Sequence, residues 1–290
     1  MSHKQTKVVL WSTPRSLSTV LMKCLSFVPN SALWFEPYMG AMYYGPEATC
    51  TPSSSPRLWK GHPGKDQETL ARQIQLPEDV GYDVSKSTYK WCQEQLEAEY
   101  PGKSVVFVKE ISCAISMRFD AIPRGYKHSF LIRNPLKVLP SWKKSHYLYE
   151  MDGPYEDYKI KDSKIPTPGY FFKESYDLYQ HIVENYDANP IVIDADDLLM
   201  NPDHVLKAYC HSMDIPYTDN LLHWDSSDDV ILQLHQLESF TNLDIAANSS
   251  KFLKPSKGPS REDLSEDDRR CVDFCMPYYE KLYEKRLIWG

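Results

Sequence analysis

Short apolar runs alternate with longer amphipathic stretches along most of this chain. Lys7–Trp11 (KVVLW), Ala32–Phe35 (ALWF), Ser104–Val108 (SVVFV), His128–Ile132 (HSFLI) and Pro190–Asp194 (PIVID) are runs of four or five residues rich in β-branched and aromatic side chains. They are too short for buried helices and predict five strands. Between them, Ser16–Val28 (SLSTVLMKCLSFV), Thr88–Glu99, a stretch beginning at Asn134-Pro135 and about Tyr170–Tyr186 carry helical spacing. Pro135 sits where a helix tolerates proline best, at its first position. The last quarter reads as mostly helical, closing on EDDRRCVDFCMPYYEKLYEKRL. Strands separated by helices predict an α/β domain, a parallel sheet covered on both faces.

Two stretches break the alternation. One covers about residues 43–80 and is rich in proline and serine; the other, about 146–168, places four tyrosines among mixed charges. Long segments of this kind in a compact domain are functional covers or disordered, and their aromatic content favours covers that form an acceptor pocket. No repeat and no domain boundary is visible, so residues 1–290 are expected to form a single domain.

Composition narrows the function. The chain has 290 residues, 42% of them hydrophobic and 13% aromatic, enough for a substantial core. A formal net charge of −7 argues against a general nucleic-acid or acidic-membrane binder, which needs a broad basic surface. A small basic pocket remains compatible with it. The seven cysteines show no CxxC pair, and Cys271 and Cys275 have no histidine pair nearby, so buried reduced thiols are expected and no metal. The first residues hold no long apolar run, which predicts a soluble cytoplasmic protein with neither secretory signal nor membrane anchor.

The chemistry concentrates at strand ends. In Trp11–Cys24 (WSTPRSLSTVLMKC) a strand passes through a turn into a helix. Ligands of parallel α/β sheets bind at the carboxyl ends of strands, and the N–H groups of a helix start favour an anion. Ser16, Ser18 and Thr19 add hydroxyls there, and Arg15 adds a planar fork suited to phosphate or sulfate oxygens. Taken locally, Ser16 capping the helix with Arg15 facing water explains the stretch equally well. A second junction, FLIRNPLKVLPSWKK, puts Arg133 at a strand end and Ser141 eight residues on. That is about two helical turns, so both can face one ligand.

These junctions resemble those of the sulfotransferases that use 3′-phosphoadenosine 5′-phosphosulfate. PRSLST is similar to the family's grip on the 5′-phosphosulfate, and RNPLKVLPS to its grip on the 3′-phosphate, including the spacing of arginine and serine. Val192–Cys210 (VIDADDLLMNPDHVLKAYC) resembles the family's strand, acidic-leucine turn and helix. The three landmarks occur in the family's order over roughly residues 7–215. The arginine of the first loop looks more like the tyrosylprotein, carbohydrate and bacterial branches. The resemblance implies a P-loop-NTPase-like fold, that phosphosulfate donor and a small hydroxyl acceptor, without metal. It implies Glu36 (WFEPY, 21 residues after Arg15) as the base that takes the acceptor's proton, with His62 in reserve and a carboxylate paired to Arg15 as the plain alternative. It also implies Lys109 as the cation meeting charge on the leaving oxygen, with an exposed strand-end lysine as the plain alternative. Ser250, Lys251 and Lys254 in NSSKFLKPSKGP resemble residues that close over the nucleotide. One departure stands out: where many members carry tyrosine-glutamate after the fifth strand, this chain has Ala195-Asp196. Adenine must then be held otherwise, by Trp91 or another aromatic, or the cofactor contacts are altered. A small-molecule kinase is disfavoured by the absent GxxxxGK[ST] loop; a non-catalytic nucleotide binder stays open unless Arg15, Glu36 and Lys109 converge.

Overall fold

A computed structural model of the chain describes residues 5–43, 46–47, 86–116, 118–150, 155–162, 168–224, 249–255 and 257–288. Five strands, β1 (Thr6–Ser12), β2 (Ser31–Phe35), β3 (Val105–Ile111), β4 (Lys127–Ile132) and β5 (Ile191–Asp194), form one sheet in the order β2-β3-β1-β4-β5. Every pairing in it is parallel, as the alternation of runs and amphipathic stretches requires.

The period of two divides the strands between two cores. Val8 and Leu10 of β1, Leu33 and Phe35 of β2, and Val105 and Phe107 of β3 face one side. There they meet α1 (Ser18–Ser26), α6 (Ala195–Met200) and α7 (Pro202–Met213). Val9 and Trp11, Trp34, Val106 and Val108 face the other side. They pack on α3 (Tyr89–Glu97), α4 (Pro135–Glu150), α5 (Phe172–Asn185) and α8 (Glu266–Tyr283). A seven-residue helix, α2 (Pro37–Tyr43), follows β2 directly. The chain leaves β1 through α1 toward β2, and leaves β4 through α4, on the opposite face, toward β5. The ends of β1 and β4 are neighbours, so the crevice where the winding reverses opens between them, which is where open α/β sheets bind ligands.

Three expectations needed adjustment. The first helix begins at Ser18, not Ser16. Strand β3 does not end near Lys109 but runs to Ile111, because β1 continues beside it and pairs Ser12 with Ile111. Lys109 is therefore an interior strand residue with 2% exposure, not a surface lysine. Trp91 lies on α3 with its ring edge-on to Trp34 of β2 at 6.3 Å, at the sheet edge opposite β5, so it is not beside Ala195. The six cysteines among the described residues are buried free thiols. None of the described helices is long and apolar enough to cross a membrane, and the described residues contain no metal-binding group of three His, Cys, Asp or Glu.

Buried titratable groups tie this packing to pH. Trp11 Nε1–H donates to His128 Nδ1 at 3.1 Å, which fixes the imidazole in its neutral form. Burial pushes His128 down from 6.5 to about 4. The unfolded chain takes up that proton near pH 6.5 and the folded one near pH 4, so stability falls as pH drops through this window, by up to about 3 kcal/mol. Asp194 acts in the opposite sense, because burial pushes it up from 3.8 to about 6 and the folded chain binds its proton first. Comparison with His128→Gln isolates the histidine. The stability difference between wild type and variant in urea melts is expected to change by about 3 kcal/mol between pH 7 and pH 4; a flat difference would show that His128 titrates normally.

Candidate active site

The turn between β1 and α1 takes left-handed backbone without glycine. Arg15 and Leu17 adopt left-handed backbone, φ 63° and 72°, a conformation costly for residues with a side chain. Ser16 is fully buried, and its Oγ donates to the Thr13 carbonyl at 2.7 Å. It therefore braces the turn and does not cap the helix. The residue preceding α1 is Leu17, which supplies no side-chain hydrogen bond to the helix start. The N–H groups of the first turn, beside Ser18 and Thr19, keep their character as anion donors. Thr13 Oγ1 is buried in the same turn with no hydrogen-bond partner.

Arg15 is only partly exposed, and its side chain is tied to the neighbouring junction. Its Nε donates to Ser141 Oγ on α4 at 3.1 Å, and its carbonyl accepts from Arg133 Nη1 at 3.0 Å. Two junctions 118 residues apart in sequence thus form one basic cleft at the reversal point of the sheet. Arg133 is half-buried, and burial depresses its guanidinium from the usual arginine value. Its Nε is enclosed without a hydrogen-bond partner.

The second part of the site lies across β1. Glu36 follows β2 with a left-handed φ of 49°, and its N–H donates to the Lys109 carbonyl at 2.7 Å. Its Oε1 is ion-paired with Lys109 Nζ. The plain alternative, a carboxylate paired with Arg15, is not what the chain forms. Lys109 Nζ also stands 4.6 Å from the centre of the Phe35 ring. On the opposite face of β3, fully buried Glu110 accepts from the N–H groups of Tyr38 at 2.6 Å and Ile111 at 2.7 Å. Burial and the neighbouring Glu36 push its carboxyl well above the usual range. Glu110 thereby fixes the start of α2 and, through it, the bend that presents Glu36.

No protein-family profile matches this chain. Two curated proteins of Arabidopsis thaliana are similar to it. Branched-chain-amino-acid aminotransferase-like protein 2 is 24% identical over 275 residues, and protein 1 is 26% identical over 279 residues. Each match covers 94% of this chain, which spans 40% of the length of each relative. Among solved structures, a sulfotransferase from Alicyclobacillus acidocaldarius aligns with 98% of this chain and 97% of its own, with a TM-score of 0.49 and 12% identity. The mouse sulfotransferase SULT7A1, solved with PAP, aligns over 97% and 88%, with a TM-score of 0.45 and 14% identity.

The remaining sequence candidates are less gathered. His62 and nearly all of residues 43–80 lie outside the described residues. Ser250 accepts at its carbonyl from Trp224 N at 2.9 Å, and Lys251 bridges to His223. Lys251 lines a small cavity of about 180 Å³ with Asn201–His204 at the start of α7, and Lys254 is exposed. Gly258, in the same segment, packs on the stem of Lys137. Of the second cover segment, residues 155–162 dock on the start of α8. Lys159 and Lys161 pair there with Asp267 at 3.3 and 2.8 Å, and Ile160 is buried at 1% exposure.

Sequence reading missed the pair Lys137–Asp196, 2.7 Å apart. Both border Arg133 but come from elements 59 residues apart, so only the fold joins them. The one available signal was Asp196 itself, standing where the family pattern differs.

Proposed function

We propose that this protein is a sulfotransferase that moves a sulfonate from 3′-phosphoadenosine 5′-phosphosulfate to a hydroxyl of a small, partly apolar acceptor. The observation that carries the reading is Arg15, bonded on one side to Ser141 and on the other to Arg133, so that both anion grips inferred from sequence lie in one cleft. The residues fit such a donor. Thr13 Oγ1 and Arg133 Nε are buried polar atoms lacking partners, and no side chain caps the start of α1. The donor supplies a sulfonate already activated by its phosphate leaving group.

The chain's own residues divide the remaining work. Arg15, Ser18, Thr19 and the first N–H groups of α1 bind the 5′-side oxygens, with Ser16 holding the turn and able to contribute by rotating its hydroxyl. Arg133 and Ser141 bind the 3′-phosphate. Lys109 Nζ, on leaving Glu36, meets charge developing on the bridging oxygen, an interaction stronger in the transition state than in the bound donor. Glu36, released from Lys109, takes the acceptor's proton. Displacement is direct: the described cysteines are buried, and burial raises thiols such as Cys24 well above their usual value. The segments about residues 43–80 and 146–168 would wall the acceptor.

The test supplies ³⁵S-labelled donor with a panel of alcohols and phenols. Label is expected on an acceptor, with one adenosine 3′,5′-bisphosphate formed per transfer. Donor bound but unconsumed across the panel would mark a non-catalytic binder, and ³²P passing from ATP to an acceptor would mark a kinase.

A further inference from the structure

The cleft contains a carboxylate that the proposed reaction does not use. Asp196 Oδ2 pairs with Lys137 Nζ at 2.7 Å, and its Oδ1 stands 4.0 Å from Arg133 Nε. That second distance is too long for a hydrogen bond. Arg133 Nε and Asp196 Oδ1 are both enclosed and both lack a hydrogen-bond partner. Two complementary groups therefore face each other with their bond unmade, an arrangement that costs free energy when buried.

The surroundings keep the pair in place. Asp194 Oδ1 accepts from the N–H groups of Asp196 and Asp197 at 2.9 and 3.1 Å, and its Oδ2 accepts from Tyr279 at 3.0 Å. The backbone of Asp196 is thus fixed by the cap of α6, while its own carboxylate plays no part in that cap. The stem of Lys137 is held from the other side by Gly258, where an added Cβ would come within 2.8 Å of Lys137 Cγ.

We propose that Asp196 is a built-in stand-in for a ligand phosphate: it holds Lys137 beside Arg133, and a phosphate monoester binds by displacing its carboxylate and taking both cations. This deepens the sulfotransferase reading, because it makes Lys137 and Asp196 the residues that set selectivity for the 3′-phosphate. A dianionic monoester can satisfy Lys137 and the Arg133 Nε–H together, which Asp196 at its observed position does not. A nucleotide with a 3′-hydroxyl carries no charge to compete for Lys137, so it gains little from displacing the carboxylate.

The test is calorimetric titration of wild type, Asp196→Asn and Lys137→Gln with adenosine 3′,5′-bisphosphate and with adenosine 5′-monophosphate. Asp196→Asn is expected to tighten the bisphosphate about tenfold by removing a like charge from the site. Lys137→Gln is expected to weaken it by a similar factor, and the monophosphate should change little in either. Unchanged or weaker bisphosphate binding in Asp196→Asn overturns the proposal, and so does an equal gain for both nucleotides. Asp196→Ala carries the same expectation if the asparagine variant melts abnormally. Thermal shift with inorganic pyrophosphate separates this inference from the donor reading. If no nucleotide binds to any form, that reading fails, yet a larger pyrophosphate shift in Asp196→Asn than in wild type still supports the stand-in. Equal pyrophosphate shifts overturn it.

Discussion

Glu36→Gln is expected to slow sulfonate transfer to an aliphatic alcohol by about 10²–10⁴-fold, the usual contribution of a positioned base, with affinity for adenosine 3′,5′-bisphosphate nearly unchanged. The substitution keeps the shape of the side chain, its backbone bond to the Lys109 carbonyl and an oxygen that can accept from Lys109. The buried ammonium loses its counter-charge, so some stability is lost and the melting temperature is measured beside the rate. What is lost is the negative charge, which now pairs with Lys109 and in the proposed reaction receives a proton. The acceptor must be an alcohol that does not ionise by itself, because a nitrophenol can dispense with the base. Single-turnover rates from labelled donor report the chemical step directly. Full turnover in the variant with such an alcohol would remove Glu36 as base and direct attention to His62.

The second large effect is on the donor. Arg133→Ala is expected to weaken adenosine 3′,5′-bisphosphate roughly ten- to a hundredfold, the range for losing hydrogen bonds to a charged group. Ser141→Ala is expected to fall at the lower end but to act on both halves of the site. Its Oγ is the acceptor for Arg15 Nε, so the alanine frees the guanidinium that is assigned to the 5′-side. A purely local role for Ser141 predicts loss of 3′-phosphate binding alone. The coupled role predicts that Ser141→Ala also weakens adenosine 5′-phosphosulfate, which has no 3′-phosphate.

How far the sequence reached follows from what each feature depends on. The five strands were legible because apolar runs of that length have few other uses, and the strand-turn-helix junction at Arg15 because its parts are contiguous. The eight-residue step from Arg133 to Ser141 was readable because a helix fixes that geometry. The ion pair of Glu36 with Lys109 was not, since it requires β2 beside β3 and a left-handed residue that no glycine announces. Lys109 was misread as ending its strand because the apolar run stops at Val108, whereas the ladder is set by its partner β1. The roles of Glu110 and of Lys137 with Asp196 were invisible for a related reason. A charged residue in sequence reads as exposed, and only the packed sheet shows which carboxylates are enclosed and by what.

The central claim, that the cleft around Arg15 and Arg133 serves a phosphosulfate donor, is tested most directly by one competition titration. Wild-type protein is titrated with adenosine 3′,5′-bisphosphate in the absence and presence of ATP, and Arg133→Ala is titrated alongside. The account predicts one bisphosphate site per chain, little displacement by ATP, and an affinity at least tenfold lower in the variant. Preferential binding of ATP, or a bisphosphate affinity indifferent to the loss of Arg133, would contradict it.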